Sequence, residues 1–229
     1  MPYIAIEGHD FGGKSTLANA IKTQIKLQYG VDVVIVNEPS KHNDRCIEIY
    51  NEICTNKELT NEQRIELLIE QRRMVLQDLV LPALAEGKTV ITDRCFISSM
   101  VYQTPPNGVG MQPVLERNIV DLHDLGDIIP DYGILVATTH QTFVTRCQAR
   151  DGYMDELEKP LLVKENFDRL VDKYLQAMVY TKTLLPKFAW DSYQGDIDIT
   201  LSTLASKFGW KKLEAEQAPV SGLTPPVPA

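Results

Sequence analysis

Residues 8–15 read Gly8-His9-Asp10-Phe11-Gly12-Gly13-Lys14-Ser15, and no other stretch of the chain narrows its possible folds so far. The run fits G-x-x-x-x-G-K-[ST], a phosphate-cradling loop that belongs between a buried strand and a helix. Both flanks are present: Tyr3-Ile4-Ala5-Ile6 reads as the strand and Thr16 to Tyr29 as the helix. Glycines at 8, 12 and 13 let the backbone curl with its N–H groups aimed into one concavity, where side chains would block an anion. A helix starting near Lys14 adds the positive end of its dipole. Lys14 offers a mobile charge to β- and γ-phosphates, and Ser15 a hydroxyl to Mg²⁺. A plain glycine-rich turn needs no Lys-Ser pair. Gly8, Phe11, Gly12, Gly13, Lys14, Ser15 and Thr16 are therefore read as a nucleotide-phosphate site.

The rest of the chain alternates strand and helix. Val31 to Val36 is a nearly continuous apolar run, as in a buried parallel strand, and it ends in Asn37-Glu38-Pro39. At the carboxyl end of such a strand Glu38 either faces the ligand crevice or closes an ordinary turn. Thr60-Asn61-Glu62-Gln63 is a capping box that opens a helix running to about Glu86. Arg72 interrupts its apolar stripe of Ile65, Leu68, Ile69, Val75, Leu76 and Leu79, and must either snorkel to water or meet an anion. Strand 89–92 leads into Asp93-Arg94, where a carboxylate across from the loop serine can hold Mg²⁺, or where the two form a local ion pair. In the short helix that follows, Ser99, Tyr102 and Gln103 converge on one side, as ligand donors or as polar surface.

A further strand spans 131–137, and Thr139 can cap a helix carrying Arg146 and Arg150 on one face. The polar stretch 151–158 is either a mobile lid or a solvated connection. Helix 161–184, a short strand at 188–190 and helix 197–208 complete an α/β pattern with a parallel sheet of about five strands. A net charge of −8 argues against nucleic acid or an anionic membrane as partner. Cys46, Cys54, Cys95 and Cys147 are too scattered for a zinc site and fit reduced thiols in a cytoplasmic protein. The chain enters its first strand without a signal peptide, and no apolar run approaches the roughly 18 residues of a membrane span. The proline-rich end is expected to be a disordered tail.

Taken together, these pieces resemble the thymidylate kinase family of P-loop nucleoside monophosphate kinases. The resemblance rests on Ile6-Glu7-Gly8 through Ser15-Thr16, Glu38-Pro39 and Arg72 ten positions before Pro82-Ala83-Leu84. It continues through Asp93-Arg94 with Ser98-Ser99 and Tyr102-Gln103, Pro130-Asp131, and the Arg146/Arg150 pair. It implies a P-loop kinase domain over 1–213 with a lid near 150–162, and a tail from 214 onward. The implied reaction is Mg²⁺-dependent transfer of the ATP γ-phosphoryl group to a deoxynucleoside monophosphate, foremost dTMP, in a cytoplasmic homodimer. Lys14, Asp10, Arg94, Arg146 and Arg150 are the implied catalytic groups, and Ser15 and Asp93 the implied metal holders. The acceptor would lie among Asp10, Glu38, Pro39, Leu68, Arg72, Arg94, Ser98, Ser99, Tyr102 and Gln103. Within that set the resemblance puts Arg94 at the acceptor phosphate, Arg72, Ser99 and Gln103 at the base, and Tyr102 under the deoxyribose. Phe11 occupies a loop position where some members carry arginine, which leaves that work to the lid arginines.

The chain departs from the family pattern in places. Asn37 replaces an arginine, Cys95 an aromatic, and Leu68 the phenylalanine that stacks on thymine. Loss of a stacking ring costs on the order of 0.5–1.5 kcal/mol beyond area burial, so a modified pyrimidine or a wider base set is an alternative. A deoxynucleoside kinase, with Glu38 as base, is another alternative, and a nucleotide-binding regulatory protein without transfer activity is a third.

Overall fold

Strand β1 (Tyr3–Glu7) is buried at every position and lies at the centre of a five-stranded sheet of order β2-β3-β1-β4-β5. Its neighbours are β3 (Thr89–Asp93) and β4 (Tyr132–Leu135), with β2 (Val33–Asn37) and β5 (Ala189–Ser192) at the edges, and every pairing is parallel. The computed structural model describes residues 1–104, 110–120, 122–126, 128–149 and 158–214. Arg150, most of the expected lid and the tail from residue 215 lie outside the described residues.

Alternation along β1 sorts the core into two faces. Ile4 and Ile6 pack with Leu17, Ile21 and Ile25 of α1 (Lys14–Tyr29) and with Leu201 and Leu204 of α9 (Ile197–Phe208). On the other face Ala5 joins Phe96 and Met100 of α5 (Phe96–Tyr102), Leu115 of α6 (Met111–Val120) and Tyr174 of α8 (Lys164–Leu184). Helices α3 (Asn61–Val75) and α4 (Leu81–Ala85) cover the β3 side, and α7 (His140–Ala149) follows β4. Among the described residues no helix is long and apolar enough to cross a membrane.

Several expectations shift. The helix expected from Thr60 to Glu86 is capped by Thr60 and Gln63 as predicted, but Leu76–Val80 between α3 and α4 is a π-helical turn. Pro82 has no N–H to give, and its ring would strike a carbonyl four residues back in a regular helix, so the wider turn accommodates it. Helix α2 (Asp44–Thr55) was not anticipated; its cap, Asn43 accepting from the Cys46 N–H at 2.8 Å, was a readable signal. Strand β5 starts one residue later than expected, and α8 begins only after a 3₁₀ turn at Lys159–Leu162.

Gly133 on β4 faces Trp190 on β5, and a methyl group there would fall 2.2 Å from the indole ring. That ring is tethered by a 3.0 Å hydrogen bond from Nε1 to Thr181 Oγ1, so it cannot swing aside freely. Gly133→Ala is expected to destabilise the fold by about 1–3 kcal/mol, as overpacking does. An unchanged urea midpoint would contradict the tethered ring.

Candidate active site

The glycine loop takes its shape from backbone angles few residues tolerate. Gly8 has φ 141° and Gly13 φ 99°, and a side chain at Gly8 would put Cβ 2.1 Å from the Val136 carbonyl oxygen. Phe11 adopts φ 60° without being glycine, and its ring lies edge-on to Phe143 at 5.8 Å. Between them His9 is buried, its Nδ1 2.7 Å from the Asp10 carbonyl and its Nε2 accepting from the Thr138 N–H at 3.3 Å. Burial pushes the imidazole pKa down, which suits a neutral ring that bolts the loop to its neighbours. Lys14 Nζ donates to the His9 carbonyl at 3.1 Å, and burial, together with nearby Arg94, lowers its pKa. Arg146, from α7, donates to the Phe11 and Gly12 carbonyls at 2.7 and 2.8 Å, so it grips the outer wall of the loop.

Across the loop stand the residues at the end of β3. Ser15 donates its hydroxyl to Asp93 Oδ2 at 2.6 Å. Arg94, held at φ 76°, turns away from Asp93 and reaches Asp10 Oδ1 at 2.5 Å, so these two do not form the local pair that was open from the sequence. Its Nη1 also donates to Ser98 Oγ at 2.9 Å and to Tyr174 Oη at 3.2 Å. Tyr174 in turn donates to the Gly8 carbonyl at 2.9 Å and so ties Arg94 to the glycine loop. Burial opposes the charge on Asp10, but Arg94 and Lys14 outweigh it and hold the carboxyl below its ordinary range.

Arg72 resolves toward the anion rather than toward water. It is 5% exposed, its Nε donates to Glu38 Oε2 at 2.7 Å, and one Nη meets Asn118 Oδ1. Its other Nη lies 3.4 Å from Ser99 Oγ. Burial pushes the Glu38 carboxyl pKa up despite this arginine. Glu38 Oε1 and Gln103 Oε1 are buried without a hydrogen-bond partner among the described residues, as expected of groups whose partners arrive with a ligand. Leu68 is half-buried one turn before Arg72, and Pro39 half-buried beside Glu38.

One carboxylate links the two sides. Glu7, fully buried at the end of β1, accepts from the Cys95 and Ser98 N–H groups at 2.7 and 3.2 Å and from Ser98 Oγ at 2.8 Å. It thereby caps α5 from another element, satisfying N–H groups that a helix start leaves open.

A cleft of about 330 Å³ opens between Asp10, Lys14, Ser15, Glu38, Asp93 and Arg94. A second hollow of about 650 Å³ lies on the other side of the loop, between Phe11, Gly12, Thr16, Val136, Arg146 and Tyr193. The loop thus has room on each side. The Ser15 hydroxyl and Asp93 carboxylate are hard oxygen donors already 2.6 Å apart, a pair that fits Mg²⁺ when phosphates and water fill its remaining positions. All four cysteines are free.

Of the predicted residues, Asp10, Phe11, Gly13, Lys14, Ser15, Thr16, Glu38, Asp93 and Arg94 line the first cleft, while Gly12 and Arg146 line the second hollow. Ser98, Tyr102 and Arg72 adjoin the first cleft through Arg94 and Glu38, with the Arg94 guanidinium 5.4 Å over the Tyr102 ring. Sequence reasoning missed His9, Tyr174 and Asn118, each of which acts through residues far away in the chain. His9 lies between Gly8 and Asp10, Tyr174 between Lys173 and Leu175, and Asn118 between Arg117 and Ile119, so no local pattern marks them.

Comparison with known proteins shows the family. The family model described as thymidylate kinase matches residues 6–185. A thymidylate kinase of Mycoplasma mobile is 28% identical over 209 residues, covering 90% of this chain and 97% of the relative. One from Xanthomonas euvesicatoria is 32% identical over 166 residues, covering 72% and 67%. In fold, the crystal structure of thymidylate kinase from Ehrlichia chaffeensis superposes with a TM-score of 0.63 at 19% identity, covering 89% of this chain and 97% of that one. With the family pattern matched from the first strand into the long helix α8, this chain belongs to the thymidylate kinase family.

Proposed function

We propose that the chain transfers the γ-phosphoryl group of ATP to the 5′-phosphate of dTMP, with ATP on the Arg146 side of the glycine loop and the acceptor on the Arg94 side. The observation that carries this reading is Arg94. Its half-buried guanidinium stands across from Lys14, on the wall of the same cleft, and is paired to an acid that an incoming phosphate can replace. The acceptor oxygen is already anionic near neutral pH, so the reaction needs no general base; it needs charge neutralisation and in-line placement of two polyanions. Lys14, Arg94 and the loop amides supply the first, and the fixed loop geometry the second. Bound at Ser15 and Asp93, Mg²⁺ would neutralise phosphate charge and orient the γ-group. Arg146 and Arg150 take the place of a loop arginine at Phe11, with Arg146 already at the loop. Arg72, Ser99 and Gln103 read the base and Tyr102 underlies the sugar, while Ser98 steadies Arg94. Resemblance to the family supports a cytoplasmic homodimer with no nucleic-acid partner.

The test is ADP formation from ATP and Mg²⁺ across the common deoxynucleoside monophosphates, 5-substituted dUMP and thymidine. The expected order puts dTMP first and thymidine at background. Leu68, half-buried where a stacking ring is usual, favours unusual tolerance of groups at the pyrimidine 5-position. Turnover of thymidine but not dTMP would overturn the reading in favour of a nucleoside kinase. ATP binding with no turnover anywhere would favour a regulatory protein.

A further inference from the structure

We infer that Asn118 is a positioning residue for acceptor-base selection: it fixes the orientation in which Arg72 presents its free N–H groups. This rests on the acceptor site proposed above. Asn118 projects from α6, a helix that carries none of the predicted site residues, and is fully buried. Its Nδ2 donates to the Val114 carbonyl at 2.8 Å, one turn earlier in the same helix. That bond settles the orientation of the amide, because the Oδ1 must then face the guanidinium, which can only donate.

Arg72 is consequently held from two directions. Glu38 takes Nε–H at 2.7 Å and Asn118 takes one Nη, while the contact to Ser99 is long at 3.4 Å. A guanidinium carries five N–H groups, so it retains donors after these contacts, and their direction is no longer adjustable. A fixed, donor-only edge accepts a ring carbonyl oxygen and leaves an amino group in its place facing donor to donor. Glu38 alone would not impose this, since a guanidinium held at Nε can still tilt about that bond. Asn118 is the second point that removes the tilt.

The test compares Asn118→Leu and Asn118→Asp with the parent enzyme, by steady-state kinetics with dTMP and dCMP, by calorimetric dTMP binding, and by thermal melting. Asn118→Leu removes the acceptor at similar size; it is expected to weaken dTMP binding and raise its KM roughly ten- to a hundredfold, as loss of a buried charge-assisted hydrogen bond does. The KM for ATP should stay near the parent value, and the preference for dTMP over dCMP should shrink. Asn118→Asp keeps an oxygen toward Arg72 and should restore that preference, which a merely space-filling role would not require. A folded Asn118→Leu enzyme with parental dTMP affinity and base preference would overturn the inference. So would equal losses for ATP and dTMP together with a lowered melting temperature in both variants. A parent enzyme that phosphorylates no deoxynucleoside monophosphate would instead overturn the proposed function, and this inference with it.

Discussion

Lys14→Ala is expected to lower kcat by roughly a hundred- to a thousandfold, the loss typical when one preorganised donor to developing charge is removed. The fold should survive the change. In the free protein Lys14 satisfies only the His9 carbonyl at 3.1 Å and lies 3.8 Å from Asp10, so no distant element depends on it. Its pKa is lowered by burial and by Arg94, which means that the native state binds its proton less readily than the unfolded chain does. At neutral pH the ammonium therefore opposes folding, and removing it should leave stability equal or slightly higher. Such a position fits a group kept for chemistry rather than for structure. Stopped-flow or coupled-assay kinetics alongside melting would check both halves, and near-parental turnover in a folded variant would remove Lys14 from the phosphoryl-transfer machinery.

Arg72→Met carries the largest expected effect on stability. It strips the partner from Glu38, a carboxylate only 7% exposed, and an unpaired buried charge typically costs about 3–5 kcal/mol. The deficit should depend on pH in a defined direction. Burial already raises the Glu38 pKa, and loss of the arginine raises it further. A group whose folded pKa lies above its unfolded one favours folding when protonated and loses that contribution as pH rises through the folded value. Urea unfolding should therefore find a larger deficit at neutral pH than below about pH 4, the ordinary range of carboxylates. Replacing both members, Glu38→Leu with Arg72→Met, should recover much of the stability and none of the activity. A single variant with parental stability at neutral pH would show that the pair is not held as tightly as its 2.7 Å contact implies.

The sheet, the glycine loop and the cleft-lining residues were legible because each is encoded locally, in a strand, a turn and the first residues of a helix. Asp93 and Arg94 follow directly from the end of β3, and Ser15 from the start of α1. Arg72 was visible as a charge in an apolar stripe, yet its fate was not, because its partners are 34 and 46 positions away. Tyr174 is a similar case, reaching Gly8 across 166 positions. Helix α2 was itself written in the sequence, with Cys46, Ile49 and Ile53 at helical spacing behind the Asn43 cap. Pro82 suggested no interruption until the helix was seen to widen one turn before it.

The carboxylate of Glu7 has a wider implication. It sits in the residue immediately before the glycine loop, yet it seats the helix that carries Ser99 and Tyr102. Donor and acceptor are thus both surveyed from a single datum, the tip of the central strand, so the span between their reacting ends is insensitive to drift elsewhere. On the proposed reading, that common origin would let a change at a position such as Leu68 alter which acceptor is chosen without moving the point where the phosphates meet.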